Sequence, residues 1–125
     1  MTAPEAESVF EDRSMGCLLG TACGDILGAR VEGWSAAEIR EAFGEVRNFS
    51  GSSRGFGCYT DDTQMTLALA TSLVECGRVD AEHVSAKYAG FYEPWRGYGG
   101  AAHRVMQALR RGADYRRTGR LQFPD

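Results

Sequence analysis

One short motif concentrates the oxygen-rich side chains of this sequence: Thr60, Asp61, Asp62 and Thr63. The motif stands at the start of a predicted helix, where hydroxyl and carboxylate oxygens satisfy free backbone N–H groups and favour the helix dipole. A helix-capping role therefore explains it. A cation site explains it as well, because Mg²⁺ and Mn²⁺ prefer hard oxygen ligands, whereas Zn²⁺ prefers histidine or cysteine. The spacing alone leaves both roles open.

Two further acids stand near or inside an apolar helix that precedes this motif. Asp25 lies within the helix, where a carboxylate is costly unless it is paired or hydrogen-bonded, and bonding to nearby backbone is its expected role. Glu32 follows the helix in the stretch Val31–Trp34. Taken by itself, Glu32 is typical of a solvated surface acid.

The helix that carries Asp25 is predicted from Ser14 to about Val31 and is apolar nearly all round, which is typical of a buried central helix. Glycines recur there at every fourth residue, at positions 16, 20, 24 and 28. Each costs about 1 kcal/mol relative to alanine in a helix interior, so we expect a closely packed neighbour as compensation. A glycine-rich loop is the alternative. Residues 1–13 are predicted to be a flexible lead-in.

Four more helices follow from capping signals and apolar periodicity. Ser35 and Glu38 form a capping box, and this short helix is expected to end at Gly44. Residues 44–59 have the composition of a loop. The later predicted helices cover 60–76, 80–92 and 101–111. Five helices without a convincing strand pattern predict an all-α fold.

The composition is that of an ordinary soluble domain. The chain has 125 residues, a formal net charge of −3 and 43% hydrophobic residues, which predicts one domain, here residues 14–125. A weakly acidic chain is not expected to be a dedicated nucleic-acid-binding protein. We also expect no membrane span and no signal peptide. Four cysteines without a CxxC pair favour free thiols, so a cytoplasmic location is predicted.

Three segments occur in order along the chain: GCLLGTACGDILGARVEG (16–33), YTDDTQMTLALATSL (59–73) and WRGYGGA (95–101). Together they resemble the ADP-ribosylglycohydrolase family. The resemblance implies an all-α bundle. It also implies hydrolysis of the N- or O-glycosidic bond between ADP-ribose and an acceptor, with two Mg²⁺ or Mn²⁺ ions.

Residue by residue, the resemblance assigns the chemistry to the acids described above. Thr60, Asp61 and Asp62 match metal ligands at the start of a helix. Glu32 matches a loop glutamate that contacts metal or water, which makes it a candidate metal-linked or acid–base residue beside Asp61 and Asp62. Asp25 matches a helix position for which a structural role is expected.

The third segment matches the family's loop facing ADP-ribose, with Gly97, Tyr98 and Gly99 as its residues. The family's remaining metal ligands belong to a later Asp-x-Asp-Thr/Ser segment that this sequence does not contain. The resemblance therefore implies the N-terminal part of a larger domain. We expect the 125 residues to be inactive without the missing part, which a companion chain can supply.

Two other functions remain open. One is a non-catalytic relative that binds ADP-ribose or is structural, as some lens crystallins are. The other is a helical interaction module using the arginine-rich segment 104–120. An intact TDDT motif argues against the first of these.

Overall fold

The computed structural model describes residues 3–52 and 55–120. Within them the fold is all-α, as predicted. The helices are α1 (Ala3–Gly28), α2 (Ala36–Phe43), α3 (Asp61–Cys76), α4 (Ala81–Phe91), α5 (Gly100–Arg110) and α6 (Tyr115–Thr118). Two short strands, β1 (Gly51–Ser52) and β2 (Gly55–Phe56), and a 3₁₀ turn at Pro94–Arg96 complete these elements.

The chain divides into two compact units, one up to Thr63 and one from Gln64 onward. The division falls inside α3, so that the first turn of this helix belongs to the first unit. Each unit is described by itself below.

The first helix begins earlier than predicted. The sequence places its start at Ser14 and treats residues 1–13 as a flexible lead-in, whereas α1 already begins at Ala3. The physical reason is that segment 5–13 contains neither glycine nor proline, and Pro4 falls in the first turn, where its missing N–H costs nothing. The described part of the lead-in is therefore helical.

The predicted burial of α1 is wrong. Apolar side chains on this helix are exposed, among them Phe10, Met15 and Leu19. The glycines at 16, 20, 24 and 28 are helical, which excludes the glycine-rich loop, but among the described residues no atom beyond the adjoining backbone of α1 and the chain neighbours lies within 4 Å of a Cβ built on any of them. A helix that is apolar all round needs neighbours on every side, and the described residues of this unit do not supply them.

The rest of the first unit follows local signals closely. Ser35 Oγ accepts from the Glu38 N–H at 3.3 Å, and the Ser35 N–H donates to Glu38 Oε2 at 2.7 Å, which confirms the capping box. Helix α2 ends at Phe43, before Gly44. Within the predicted loop, β1 and β2 pair antiparallel, with Gly51 opposite Phe56. These strands are two residues long, which is too short to leave an alternating pattern in the sequence.

The second unit has an apolar core. Ala68 on α3, Tyr92 after α4 and Met106 on α5 are buried. His83 on α4 hydrogen-bonds Ser72 of α3 through Nδ1 at 2.8 Å. Gly77 ends α3 with a φ of +65°, and Asp80 caps α4 by accepting from the His83 N–H at 3.1 Å. These two helix boundaries agree with the sequence prediction.

Helix α6 is an addition to the five predicted helices. The Asp114 side chain caps it by accepting from the Arg116 N–H at 3.0 Å. Four residues are too few for an apolar periodicity, so only this cap was visible in the sequence. Among the described residues, none of the helices has the length and apolar character needed to cross a membrane.

Candidate functional site

Asp25 joins helix α1 to the start of α3. Its Oδ2 accepts hydrogen bonds from the Thr60 N–H at 2.8 Å, the Thr63 N–H at 3.1 Å and the Thr63 hydroxyl at 2.5 Å. Its Oδ1 accepts from the Thr60 hydroxyl at 2.5 Å. The free N–H of the first turn of α3 is thus satisfied by a side chain 38 residues earlier in the chain. Asp25 is hydrogen-bonded to backbone, as expected, but the N–H groups belong to Thr60 and Thr63 at the start of α3 and not to its own helix.

These four hydrogen bonds decide the charge of Asp25. Burial raises the pKa of this carboxyl, but the hydrogen bonds from Thr60 and Thr63 outweigh it and hold the pKa below its usual range. Asp25 is therefore ionised at neutral pH, and its hydrogen bonds are charge-assisted.

The same contacts orient the two threonine hydroxyls. Thr60 and Thr63 are buried, at 4% and 5% exposure, and both hydroxyl hydrogens are directed at Asp25. A hydroxyl oxygen that donates its hydrogen keeps its lone pairs as acceptors. The Thr60 oxygen can therefore take part in binding a cation without losing its contact to Asp25.

Asp61, Asp62 and Glu32 place three negative charges in one neighbourhood. Burial raises the pKa of Asp61, and the charges of Asp62 and Glu32 raise it further, against an opposing hydrogen bond from backbone. Asp61 is half-buried, whereas Asp62 and Glu32 are exposed. Mutual repulsion of this kind is relieved by a proton or by a bound cation.

A cavity of about 400 Å³ brings together three of the four predicted metal-site residues. Its lining consists of Thr21, Gly24, Asp25, Gly28, Ala29, Glu32, Thr60 and Asp62. Three predicted site residues, Glu32, Thr60 and Asp62, therefore face the same space, while Asp61 is not among the lining residues. The two glycines form part of the wall, so that half of the predicted glycine ridge borders open volume instead of a neighbouring helix.

The oxygen-only donor set fits Mg²⁺ or Mn²⁺ in its chemistry. The set is not complete, because the described residues contain no group of three His, Cys, Asp or Glu side chains placed to hold one ion. Carboxylates from this cavity can thus supply part of a coordination shell, with water, threonine oxygen or further residues supplying the rest.

The loop of the third sequence segment lies in the second unit. It consists of the 3₁₀ turn Pro94–Arg96, then Gly97 with a φ of +97°, Tyr98 and Gly99, which precedes α5. The left-handed conformation of Gly97 is one that side chains disfavour. This loop and the carboxylate cavity belong to different units, and each is a candidate site by itself.

Sequence reasoning missed Gln64, which contacts this loop. Gln64 is 3% exposed. Its Oε1 accepts from the Tyr98 hydroxyl at 2.7 Å and from the Glu93 N–H at 3.1 Å, and its Nε2 donates to Glu93 Oε2 at 3.0 Å. The available signal was a glutamine among the apolar residues of α3, directly after the TDDT motif.

Comparisons with known proteins give a family match and several relatives. A sequence model described as ADP-ribosylglycohydrolase matches residues 6–124. The ADP-ribosyl-[dinitrogen reductase] glycohydrolase of Rhodospirillum rubrum is 38% identical over 94 residues, which cover 71% of this chain and 30% of that protein. The bovine (Bos taurus) ADP-ribosylhydrolase ARH3 is 33% identical over 104 residues, covering 76% of this chain and 28% of that protein.

An uncharacterized protein of Archaeoglobus fulgidus is 35% identical over 115 residues, covering 88% of this chain and 38% of that protein. The chain thus spans about a third of the length of the curated relatives that it matches. No solved structure matches the chain significantly.

Proposed function

The chain belongs to the ADP-ribosylglycohydrolase family, and from that premise we propose that it takes part in metal-dependent hydrolysis of the glycosidic bond between ADP-ribose and a modified acceptor. One observation carries the proposal. Glu32, Thr60 and Asp62 line a single cavity, and Asp25 holds the backbone of the TDDT motif beside it.

In this proposal, Thr60, Asp61, Asp62 and Glu32 hold Mg²⁺ or Mn²⁺, two ions in the complete site. When bound, such an ion would supply Lewis-acid chemistry, since it would polarise water and orient ribose oxygens. The raised pKa of Asp61 supports the assignment, because a cation removes the repulsion that burial and the neighbouring acids impose on this carboxylate.

The side chains of the cavity have further roles in bond cleavage. Glu32 is exposed on the turn after α1, so its carboxylate can accept a proton from the attacking water. Cleavage of a glycosidic bond passes through an oxocarbenium-like transition state. The carboxylate of Asp62, which lines the cavity, would stabilise the positive charge that develops on the ribose ring.

The loop at Gly97, Tyr98 and Gly99 is proposed to bind ADP-ribose. Glycine at 97 and 99 lets backbone approach a bulky ligand. Gly99 also caps α5, and the N–H groups at a helix start favour phosphate oxygens. The position of Arg104 supports this assignment, because a guanidinium favours phosphate oxygens. Its Nη1 lies beside the first turn of α5, 3.5 Å from where a Cβ at Gly100 would be.

Within residues 3–52 and 55–120, the carboxylates do not complete a metal site by themselves, and the chain spans about a third of the length of its relatives. We therefore propose that activity requires the rest of the family domain, in the same protein or as a companion chain, and that the 125 residues alone are inactive. The proposed location is the cytoplasm.

The test measures release of ADP-ribose from an ADP-ribosylated protein by the full-length protein, with Mg²⁺ or Mn²⁺ and with a chelator. Activity is expected only with the metal. Asp61→Asn, Asp62→Asn and Glu32→Gln should each lower the rate at least about 100-fold. Glu41→Gln, an exposed acid on α2, is the control and should leave the rate unchanged. Absence of release with either metal, or full activity in both aspartate variants, would refute the proposal.

A second function has one observation in its favour. The incomplete donor set suits a relative that binds ADP-ribose without hydrolysing it, or one with a structural role. Calorimetric titration with ADP-ribose, compared with the rate assay, separates these functions. Binding without turnover in the full-length protein would support the non-catalytic function, and turnover would exclude it.

A further inference from the structure

The amide group of Gln64 is almost fully used by one segment of the chain. Both acceptor positions of Oε1 are filled, by the Glu93 N–H at 3.1 Å and the Tyr98 hydroxyl at 2.7 Å. On the other side, Nε2 donates to Glu93 Oε2 at 3.0 Å. This arrangement also defines the amide orientation, because a reversed amide would place NH₂ against two donors.

The partners of Gln64 lie at the two ends of one turn. Glu93 precedes the 3₁₀ turn Pro94–Arg96, and Tyr98 follows it after the left-handed Gly97. A side chain that bonds both ends sets the separation between them. A purely core-filling residue needs no such pair of contacts.

Other contacts within the turn converge on the same groups. Arg96 Nε donates to Glu93 Oε2 at 2.9 Å, so that Glu93 accepts from both Gln64 and Arg96. The Arg96 guanidinium lies 3.8 Å from the centroid of the Trp95 ring. The Tyr98 ring meets Tyr92 edge-on at 4.8 Å between centroids. Loss of Gln64 would leave Glu93 N–H and the Tyr98 hydroxyl without this buried acceptor, which is unfavourable for the observed conformation.

We propose that Gln64 is a positioning residue that holds the loop 93–99 in the conformation that receives ADP-ribose. The inference rests on the proposed function, in which Gly97, Tyr98 and Gly99 face that ligand. Gln64 itself need not touch the ligand. It acts by preorganising the loop, so that binding does not have to order it.

The test compares Gln64→Met with Gln107→Met in the full-length protein. Gln107 on α5 is a matched control, because its amide contacts the His103 ring at 2.9 Å, outside the loop 93–99. Calorimetry measures ADP-ribose affinity. The ¹⁹F resonance of 5-fluorotryptophan at position 95, identified by its loss in Trp95→Phe, reports loop conformation.

Gln64→Met is expected to weaken ADP-ribose binding about tenfold and to shift the resonance of position 95 towards that of the free amino acid. Gln107→Met should change neither. If Gln64→Met fails to fold, Gln64→Glu replaces it. That variant keeps the acceptor oxygen but places a second carboxylate beside Glu93 Oε2, so a weaker affinity and a shifted resonance are again expected.

Unchanged affinity and an unchanged resonance in the Gln64 variant would overturn the inference, as would equal effects in Gln107→Met. If the unsubstituted protein binds no ADP-ribose, the proposed function fails. The resonance then decides about Gln64 alone: a shift confined to the Gln64 variant supports loop positioning, and no shift overturns it.

Discussion

Different kinds of interaction stabilise each of the two units of this chain. In the first unit, the start of α3 is fixed by an ionised carboxylate, Asp25, with four hydrogen bonds, while apolar side chains of α1 remain exposed. In the second unit, Ala68, Tyr92 and Met106 form an apolar core. The loop 93–99 of this unit is fixed by the neutral amide of Gln64. Polar contacts thus define the cavity region, whereas packing supports the loop region.

The difference has a chemical consequence. Hydrogen bonds to a charged group depend on its ionisation, so the first unit is expected to respond to pH. The hydrogen bonds of Gln64 do not depend on ionisation of its own side chain, because an amide is neutral. The comparison leads to four predictions, which follow in order of decreasing effect.

The largest effect is expected when a buried methionine of the second unit is replaced by alanine. The same replacement of an exposed methionine in the first unit is the control. Met106 is 2% exposed and Met15 is 58% exposed. Met106→Ala should lower the free energy of unfolding by about 3 kcal/mol, because it removes buried methylene and sulfur contacts and leaves a cavity. Met15→Ala should change it by less than about 0.5 kcal/mol. Urea unfolding followed by circular dichroism measures both, and equal losses would contradict the comparison.

Asp25→Ala should lower the free energy of unfolding by about 2 kcal/mol, since it removes the acceptor of four hydrogen bonds at a site that water can partly reach. The amides of Thr60 and Thr63 should then exchange faster with solvent, as measured by hydrogen exchange. Asp12→Ala, an exposed aspartate on the same helix, is the control. Unchanged exchange at both threonines would show that Asp25 does not hold this turn.

The third prediction is the pH dependence of the Asp25 contribution. Its folded-state pKa lies below its usual range, so its stabilisation is fully present above the unfolded value of about 3.9. The stabilisation is lost as the pH falls through the lower, folded value. The difference in stability between the unsubstituted chain and Asp25→Asn should therefore shrink in acid. A difference that is constant from pH 7 to pH 2 would contradict this prediction.

The smallest effect concerns Asp61, whose pKa is raised by burial and by Asp62 and Glu32. A raised folded-state pKa means that the contribution to stability is lost as pH rises through that value. Without divalent cations at pH 7, Asp61→Asn should therefore raise the melting temperature slightly. Asp62→Asn, at the exposed neighbouring acid, is the comparison variant. A lower melting temperature in Asp61→Asn would contradict the proposed repulsion.

Local signals in the sequence predicted much of this fold. The Ser35–Glu38 capping box, Gly77 at the end of α3 and Asp80 at the start of α4 each act within a few residues, so their effect can be derived from the sequence alone. The cavity was harder to predict from the sequence. Glu32, Thr60 and Asp62 were selected by type, motif and family resemblance, but their common cavity depends on the contact from Asp25, which spans 38 residues.

Predictions failed where burial or hydrogen-bond partners depend on residues far away in the sequence. The apolar pattern of α1 correctly indicates a helix but says nothing about which surfaces its neighbours cover. Gln64 has no recognisable spacing to Glu93 and Tyr98, because these partners lie 29 and 34 residues away. A metal site stays a prediction, since the donor set among the described residues is partial.

The glycines at the wall of the cavity have a consequence for evolution and engineering. Gly24 and Gly28 are helical, and among the described residues a methyl group on either would meet no atom within 4 Å beyond the adjoining backbone of α1 and the chain neighbours. Alanine at Gly24, in the helix interior, would make the helix more favourable by about 1 kcal/mol, and alanine at Gly28, the last helical residue, by less. It would also take up volume beside Glu32 and Asp62. Stability and room for a ligand therefore oppose each other at these two positions, so selection for stability alone would tend to close the space that selection for binding keeps open.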